Sequence, residues 1–173
     1  MEYLISGGRP LKGTISVSGA KNVALKLIIA ALLLKGKTTL HNVPRIRDVM
    51  ALVDIVNHLG GEAKFIDDHT VTVENRLTKF HIPFEFAART RVSFMLLAPL
   101  LKTFGKASVP NPGGCRLGAR PVDRLAYTAE RIGAKVEYNS NDGYYYITLS
   151  KPHAAVIKFA KITHTGTELA IMN

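Results

Sequence analysis

The sequence has one cysteine, Cys115, among its 173 residues. A single cysteine excludes an internal disulfide framework and a cysteine-cluster metal site, and it favours a reducing compartment. The N-terminus lacks the basic and then apolar pattern of a secretory signal. The longest apolar segment, residues 23–34, contains Lys26 and is shorter than the roughly 18 residues that a membrane span needs. We therefore expect a soluble cytoplasmic protein with no membrane partner.

Acidic residues are scarce: 13 Asp and Glu stand against 23 Lys and Arg, for a formal charge of +10. This excess predicts anionic partners such as nucleic acid, acidic lipid or phosphorylated metabolites. The basic residues form no run of five or six and do not alternate with aromatic residues, so a nucleic-acid partner is disfavoured. A loose cluster of Arg116, Arg120 and Arg124 instead indicates a site for small anions.

The cysteine lies in a stretch, residues 110–124, that is rich in proline, glycine and arginine. Proline and glycine fit poorly in a helix or strand, so we expect the thiol to lie on a loop. Arg116 and Arg120 would favour the thiolate over the thiol. The alternative is that Cys115 is a small buried apolar residue, as most lone cysteines are. The neighbouring glycines and arginines favour exposure and chemistry.

Two stretches of the sequence repeat one pattern. The apolar segments 23–34 and 92–101 predict buried helices, and each leads through a glycine into a short strand. An offset of 69 residues aligns Gly36 with Gly105 and Asn22 with Arg91. Each half then continues with an amphipathic helix and a hairpin. The helices open at 47–48 and 122–123, and the hairpins comprise 62–65 with 70–73 and 135–138 with 144–149.

The sequence therefore predicts an α/β (or α+β) architecture of repeated βαβαββ units around a shared core. The two units comprise about residues 21–88 and 89–155. A third unit begins at residues 156–159, and the glycine and hydroxyls of 163–167 are typical of the phosphate-facing start of a helix. Only about two turns of that helix follow, so we expect this chain to be the front part of a longer protein.

Three stretches carry a family resemblance: SGAKNVAL (18–25), PGGCRLGARPVD (112–123) and THTGTE (163–168). They resemble the UDP-N-acetylglucosamine 1-carboxyvinyltransferases, the enolpyruvyl transferases of the first committed step of peptidoglycan synthesis. The resemblance implies a fold of two inside-out α/β globules, each with three βαβαββ units, helices inside and sheets outside. It implies a transferase that uses phosphoenolpyruvate and UDP-N-acetylglucosamine, with no metal or organic cofactor.

The resemblance also implies roles for single residues. Cys115 matches the general acid that protonates the methylene carbon of phosphoenolpyruvate, and Arg120 would hold the phosphate. Lys21 and Asn22 match a pair that meets phosphoenolpyruvate and the sugar, and Arg91 matches a sugar-nucleotide arginine. The remaining matches are the uridine pocket, at Pro121, Val122, Asp123 and Arg124, and the uridine diphosphate contacts, at Lys161, Thr163 and His164.

Non-functional alternatives stay open for several of these residues. Lys21 could be a solvated surface lysine, and Arg91 could belong to a structural ion pair. His164 departs from the small apolar residue of the family pattern and could be a plain loop histidine. Lys26 also departs, standing where many relatives have proline.

The family's catalytic aspartate and further substrate-binding arginines would lie beyond Asn173. Residues 1–20 match the family's first strands, which belong to the other globule, and 21–173 match the first globule. We therefore expect a partner, the missing C-terminal half, and no turnover by this chain alone. One alternative is a non-catalytic half-module that binds a UDP-sugar or its missing half. Another is an RNA binder on the related fold of RNA 3′-phosphate cyclases.

Overall fold

The computed structural model describes residues 2–4, 6–8, 10–111 and 122–173. Helices and strands alternate along these residues in the predicted order. The helices are α1 (Lys21–Ala31), α2 (Arg47–His58), α3 (Phe84–Ala87), a 3₁₀ helix (Arg91–Leu96), α4 (Leu97–Phe104), α5 (Asp123–Arg131) and α6 (His164–Met172). The strands are β1 (Lys37–Leu40), β2 (Glu62–Phe65), β3 (Val71–Glu74), β4 (Lys106–Pro110), β5 (Lys135–Asn139) and β6 (Tyr144–Thr148).

The strands form two antiparallel sheets of the same topology, with orders β1-β3-β2 and β4-β6-β5. In each sheet the last strand of the unit lies in the centre. Leu40 and Phe65 both pair with Val71 in the first sheet, and Val109 and Tyr138 both pair with Tyr145 in the second. Both predicted hairpins are confirmed. We call the elements from α1 to β3 unit one, and those from the 3₁₀ helix to β6 unit two.

The hydrophobic core lies between the helices and the inner faces of the sheets. The amphipathic pattern of α2 buries one face of that helix, and α1 packs against both α2 and the 3₁₀ helix. Burial of such apolar faces is the main stabilising term for a fold of this size. The largest fully buried side chains come mostly from these helices and include Ile28, Ile29, Leu32, Leu52, Ile55, Phe94, Leu96, Leu97 and Leu100.

A short segment joins the two units. His81 bridges Ser108 in a parallel sense, with Ser108 N donating to Phe80 O at 2.9 Å and Ile82 N donating to Ser108 O at 2.9 Å. The segment thereby extends the second sheet beyond β4. Ile82 is fully buried beneath it. The two sheets are therefore held around one core by backbone hydrogen bonds as well as by helix packing.

The structure differs from the sequence prediction at four places. The helix expected at 92–101 begins as the 3₁₀ helix and becomes α4 just before Pro99, which cannot donate to the carbonyl of residue 95 and is tolerated only in a first helical turn. The short helix α3 was not predicted. Residues 156–159 form no strand, and the described part of 2–20 is irregular and exposed, because no described strand pairs with either segment.

Candidate functional site

A cleft of about 920 Å³ opens where the first turns of several helices meet. It lies between both repeated units and α6. We call this feature the cleft throughout. Its lining residues are Lys21, Asn22, Leu25, Lys26, Asp48, Arg89, Thr90, Arg91, Val92, Met95, Val122, Arg124, Leu125, Ile162, Thr163, His164, Thr165 and Glu168.

The helix starts give the cleft its polarity. Its walls include residues from the first turns of α1, α2, α5 and α6 and of the 3₁₀ helix that leads into α4. The unsatisfied N–H groups of a helix start carry a partial positive charge and bind anions readily. Five Lys and Arg side chains line the cleft, against two carboxylates. The cleft is therefore suited to a negatively charged ligand.

Lys21 and Asn22 lie together at the start of α1, both exposed in the cleft wall. The chain enters this helix at Gly19, where a Cβ would stand 1.7 Å from the carbonyl oxygen of Asn42, so only glycine fits. Lys21 Nζ lies 2.8 Å from Asp48 Oδ2, on the second residue of α2. The side chains are 50% and 39% exposed, so the pair holds the ammonium at the cleft without burying it.

Arg91 begins the 3₁₀ helix and lines the cleft next to Thr90, which is buried. Arg89, two residues before Arg91, donates from Nη2 to Asp54 Oδ2 at 2.7 Å, which anchors this part of the wall to α2. The two aligned positions of the repeat, Asn22 and Arg91, therefore lie in the same cleft. One supplies an amide and the other a guanidinium, a pairing that suits a ligand with both hydroxyl and acidic groups.

Unit two adds a third wall at the start of α5. Val122, which is buried, and Arg124 line the cleft. Asp123 does not: it is exposed and, as the first residue of α5, it points away from its neighbour because successive helical residues are about 100° apart. The Arg124 backbone is fixed by Thr128, whose Oγ1 donates to Arg124 O at 2.8 Å.

The start of α6 forms the wall opposite α1. Thr163 caps this helix by accepting the Gly166 N–H on its Oγ1 at 3.2 Å. A Cβ on Gly166 would stand 2.6 Å from Thr163 Cγ2 and 3.0 Å from the Phe159 ring, so the turn requires glycine. Thr163 and His164 line the cleft, whereas Lys161 is exposed and is not among the lining residues.

Three predicted site residues, Cys115, Arg120 and Pro121, lie outside the described residues. The chain reaches this segment at Asn111, whose N–H donates to Gly143 O at 2.8 Å, and it re-enters the described structure at Val122 in the cleft wall. The segment that carries the only cysteine is therefore joined directly to the cleft.

Sequence reasoning missed several lining residues. Asp48 had a signal, since the repeat aligns the start of α2 with that of α5, and the structure gives Asp48 and Arg124 as the second residues of those helices. The ion pair between Lys26 and Glu168 had none, because it joins helices that lie far apart in the chain. Arg89 and Thr90 lie just before the helix start that the repeat places at Arg91, and no sequence pattern marked them.

Two further searches of the described residues gave negative results. No group of three or more His, Cys, Asp or Glu side chains there is arranged to hold a metal ion. Among the same residues, none of the helices combines the length and apolar character that crossing a bilayer requires.

Solved structures share this fold. The enolpyruvyl transferase NikO from Streptomyces tendae superposes with a TM-score of 0.71 and 24% identity, over 84% of this chain and 32% of NikO. The EPSP synthase of Acinetobacter baumannii superposes with a TM-score of 0.71 and 16% identity, over 92% of this chain and 37% of the synthase. The predicted enolpyruvyl-transferase fold of repeated α/β units is therefore confirmed.

Sequence comparison gives the family. A model of the EPSP synthase (3-phosphoshikimate 1-carboxyvinyltransferase) family matches residues 5–173, and the chain belongs to this family. Curated relatives include the UDP-N-acetylglucosamine 1-carboxyvinyltransferases of Wolinella succinogenes, 42% identical over 99% of this chain, and of Dichelobacter nodosus, 40% identical over 99%. These relatives confirm the resemblance seen in the sequence. The chain spans 41% of the length of each of them.

Proposed function

We propose that the cleft binds UDP-N-acetylglucosamine and phosphoenolpyruvate, as part of an enzyme that transfers the enolpyruvyl group to the sugar 3-hydroxyl and releases phosphate. The observation that carries the proposal is the convergence of Lys21, Asn22, Arg91, Arg124 and Thr163 on one cationic cleft. These residues come from four separate parts of the chain. The chain is 36–42% identical to relatives named UDP-N-acetylglucosamine 1-carboxyvinyltransferase, which supports this substrate pair over shikimate 3-phosphate.

The residues of the cleft would have different roles in the proposed reaction. In the proposed reaction the sugar 3-oxygen bonds to C2 of phosphoenolpyruvate while an acid protonates its C3 methylene carbon. The resulting intermediate then loses phosphate, and a proton leaves the new methyl group. Lys21 and Arg120 would neutralise the phosphate and carboxylate of phosphoenolpyruvate, and preorganised cations of this kind stabilise charge that develops in the transition state.

We assign the acid to Cys115. A thiol is a suitable acid for carbon when arginines tune its pKa and when a loop can bring it to the substrate. Arg116 and Arg120 flank it in the sequence. The uridine diphosphate would lie along the starts of α5 and α6, where Arg124 supplies a charge and Thr163 and His164 supply polar groups.

Pro121, Asp123 and Lys161 complete the proposed nucleotide site. Asp123 and Lys161 are exposed beside the cleft and not in its lining, so contact with a nucleotide would need the ligand to extend beyond the cleft. The proposal includes a cytoplasmic location, where a lone cysteine stays reduced. It also includes a C-terminal partner that supplies the base, since the relatives are longer than this chain.

The test uses fosfomycin, an epoxide that a nucleophilic thiolate opens by forming a carbon–sulfur bond while the epoxide carbon–oxygen bond breaks. Intact mass is measured after treatment with and without UDP-N-acetylglucosamine, alongside Cys115→Ser. The expected result is a single adduct that forms faster with the nucleotide and is absent from the variant. If the chain alone gives none, the C-terminal remainder of the Wolinella succinogenes relative is added in trans. The proposal would be contradicted if the nucleotide did not change the rate of adduct formation, or if no adduct formed with the chain alone or with the C-terminal remainder present.

A further inference from the structure

The cleft contains a second lysine that differs from Lys21 in its surroundings. Lys26 lies on α1 four residues after Asn22, so it lies on the same face of that helix but deeper in the cleft. Its Nζ lies 3.3 Å from Glu168 Oε2 on α6. These side chains are 17% and 34% exposed, against 50% and 39% for Lys21 and Asp48. Lys26 and Glu168 thus form a more buried ion pair than Lys21 and Asp48.

This pair spans two opposite walls. α6 packs chiefly against α5, with Leu169 fully buried, whereas α1 packs against α2 and the 3₁₀ helix. The ion pair ties α6 to α1. One turn before Glu168, the start of α6 presents Thr163 and His164 to the cleft. The ion pair is therefore a direct contact between the helix that carries Lys21 and Asn22 and the helix that carries those polar groups.

Burial makes the link sensitive to the loss of either charge. Glu168 Oε2 is shielded from solvent and accepts no well-aligned hydrogen bond from the described residues. The ammonium of Lys26, 3.3 Å away, lies close enough to compensate its charge. A carboxylate that loses such a partner either draws water into the site or moves toward solvent. Movement of Glu168 would carry the first turns of α6 with it.

We propose that the Lys26–Glu168 ion pair is a strut that positions the start of α6 across the cleft, and that it thereby sets the affinity of the cleft for its nucleotide ligand. Both are positioning residues in this account. The effect on affinity rests on the function proposed above, whereas the effect on the position of α6 does not. The two parts are therefore tested by separate readouts.

A competing explanation gives the opposite sign. If Lys26 bound the anionic ligand directly, Glu168 would compete for its ammonium, and removing the carboxylate would tighten binding. A strut predicts that Glu168→Gln weakens binding, because α6 loses its tie. The sign of this one change therefore separates the two explanations.

The experiment measures hydrogen exchange and UDP-N-acetylglucosamine affinity for the unaltered chain and for the variants Lys26→Met and Glu168→Gln. We expect amides 166–169 to exchange several-fold faster in both variants, and the dissociation constant to rise about tenfold. The control is Lys35→Met, since Lys35 is exposed and does not line the cleft. The charge-swapped double variant, Lys26→Glu with Glu168→Lys, keeps the net charge and should restore slow hydrogen exchange.

Each result has one consequence. Unchanged α6 exchange in both single variants would overturn the strut, as would tighter binding by Glu168→Gln. The strut would be supported if both single variants showed faster hydrogen exchange in α6 and weaker nucleotide binding, and if the charge-swapped double variant restored slow hydrogen exchange. If the unaltered chain bound no UDP-N-acetylglucosamine, either alone or with the C-terminal remainder of the Wolinella succinogenes relative added in trans, the proposed function would fail. In that case the exchange data alone would decide whether the ion pair positions α6.

Discussion

Units one and two share an element order and a sheet topology, but they differ in the connection between their first strand and second helix. In unit one this connection is residues 41–46, and in unit two it is residues 111–122, which is twice as long. The longer connection carries the cysteine and the arginines around it. The comparison teaches that the repeat supplies a scaffold, while a longer connection in one copy supplies the proposed chemistry.

The units also differ in the charges at equivalent helix starts. The start of α1 offers Asn22 where the 3₁₀ helix offers Arg91, and the second residue of α2 is Asp48 where that of α5 is Arg124. All four line the cleft. The repeated frame thus places different groups around one cleft, and at these four positions the cationic groups are on unit two.

The largest expected effect concerns stability, and it compares the second helix of each unit. Leu52 on α2 is fully buried among core residues, whereas Leu125 on α5 is 8% exposed and borders the cleft. We expect Leu52→Ala to lower the free energy of unfolding by about 4 kcal/mol and Leu125→Ala by about 2 kcal/mol. Urea unfolding monitored by circular dichroism measures both. Equal losses would contradict the deeper burial of unit one.

The order of the helices and strands could largely be predicted from the sequence, because the apolar periodicity and the glycines of each unit report local structure. The predicted hairpins at 62–65 with 70–73 and 135–138 with 144–149 illustrate this. The residues of the candidate site were predicted from the family resemblance, and several of those that line the cleft lie at helix starts, as at Lys21, Arg91 and Thr163. The Lys26–Glu168 pair could not be predicted, because the contact depends on the packing of α6 and leaves no local signal.

The next effect tests the charge difference at Asn22 and Arg91. We expect Arg91→Gln to raise the dissociation constant for UDP-N-acetylglucosamine about tenfold and to reduce its dependence on salt, because a guanidinium makes charge-assisted hydrogen bonds to an anion. Asn22→Ala should raise it about threefold with no change in salt dependence. Calorimetric titration at two salt concentrations measures both quantities. The account would be wrong if the two variants shared one salt response.

The smallest effect separates the central strands of the two sheets. β3 carries no tyrosine, whereas β6 carries three. Burial, followed by the nearby Tyr138 and Asp123, raises the pKa of Tyr145 above its ordinary value near 10. The unfolded chain therefore loses its phenol proton first, and stability falls as the pH rises above about 10.

Replacing Tyr145 with Phe should make this alkaline loss of stability smaller. Tyr3→Phe is the matched control, since Tyr3 is 82% exposed in the N-terminal segment. Thermal unfolding between pH 8 and pH 11 gives the comparison. A variant that loses stability as steeply as the unaltered chain would show that Tyr145 does not contribute.

The central claim is that the helix starts of both units form one ligand site, and nuclear magnetic resonance tests it most directly. The ¹⁵N-labelled chain is titrated with UDP-N-acetylglucosamine while its amide resonances are followed. We predict shifts at Asn22, Arg91, Arg124 and Thr165, with small changes on the outer sheet face at Tyr146. Shifts centred on the sheets, or no shift at millimolar nucleotide even with the C-terminal remainder added in trans, would contradict the account.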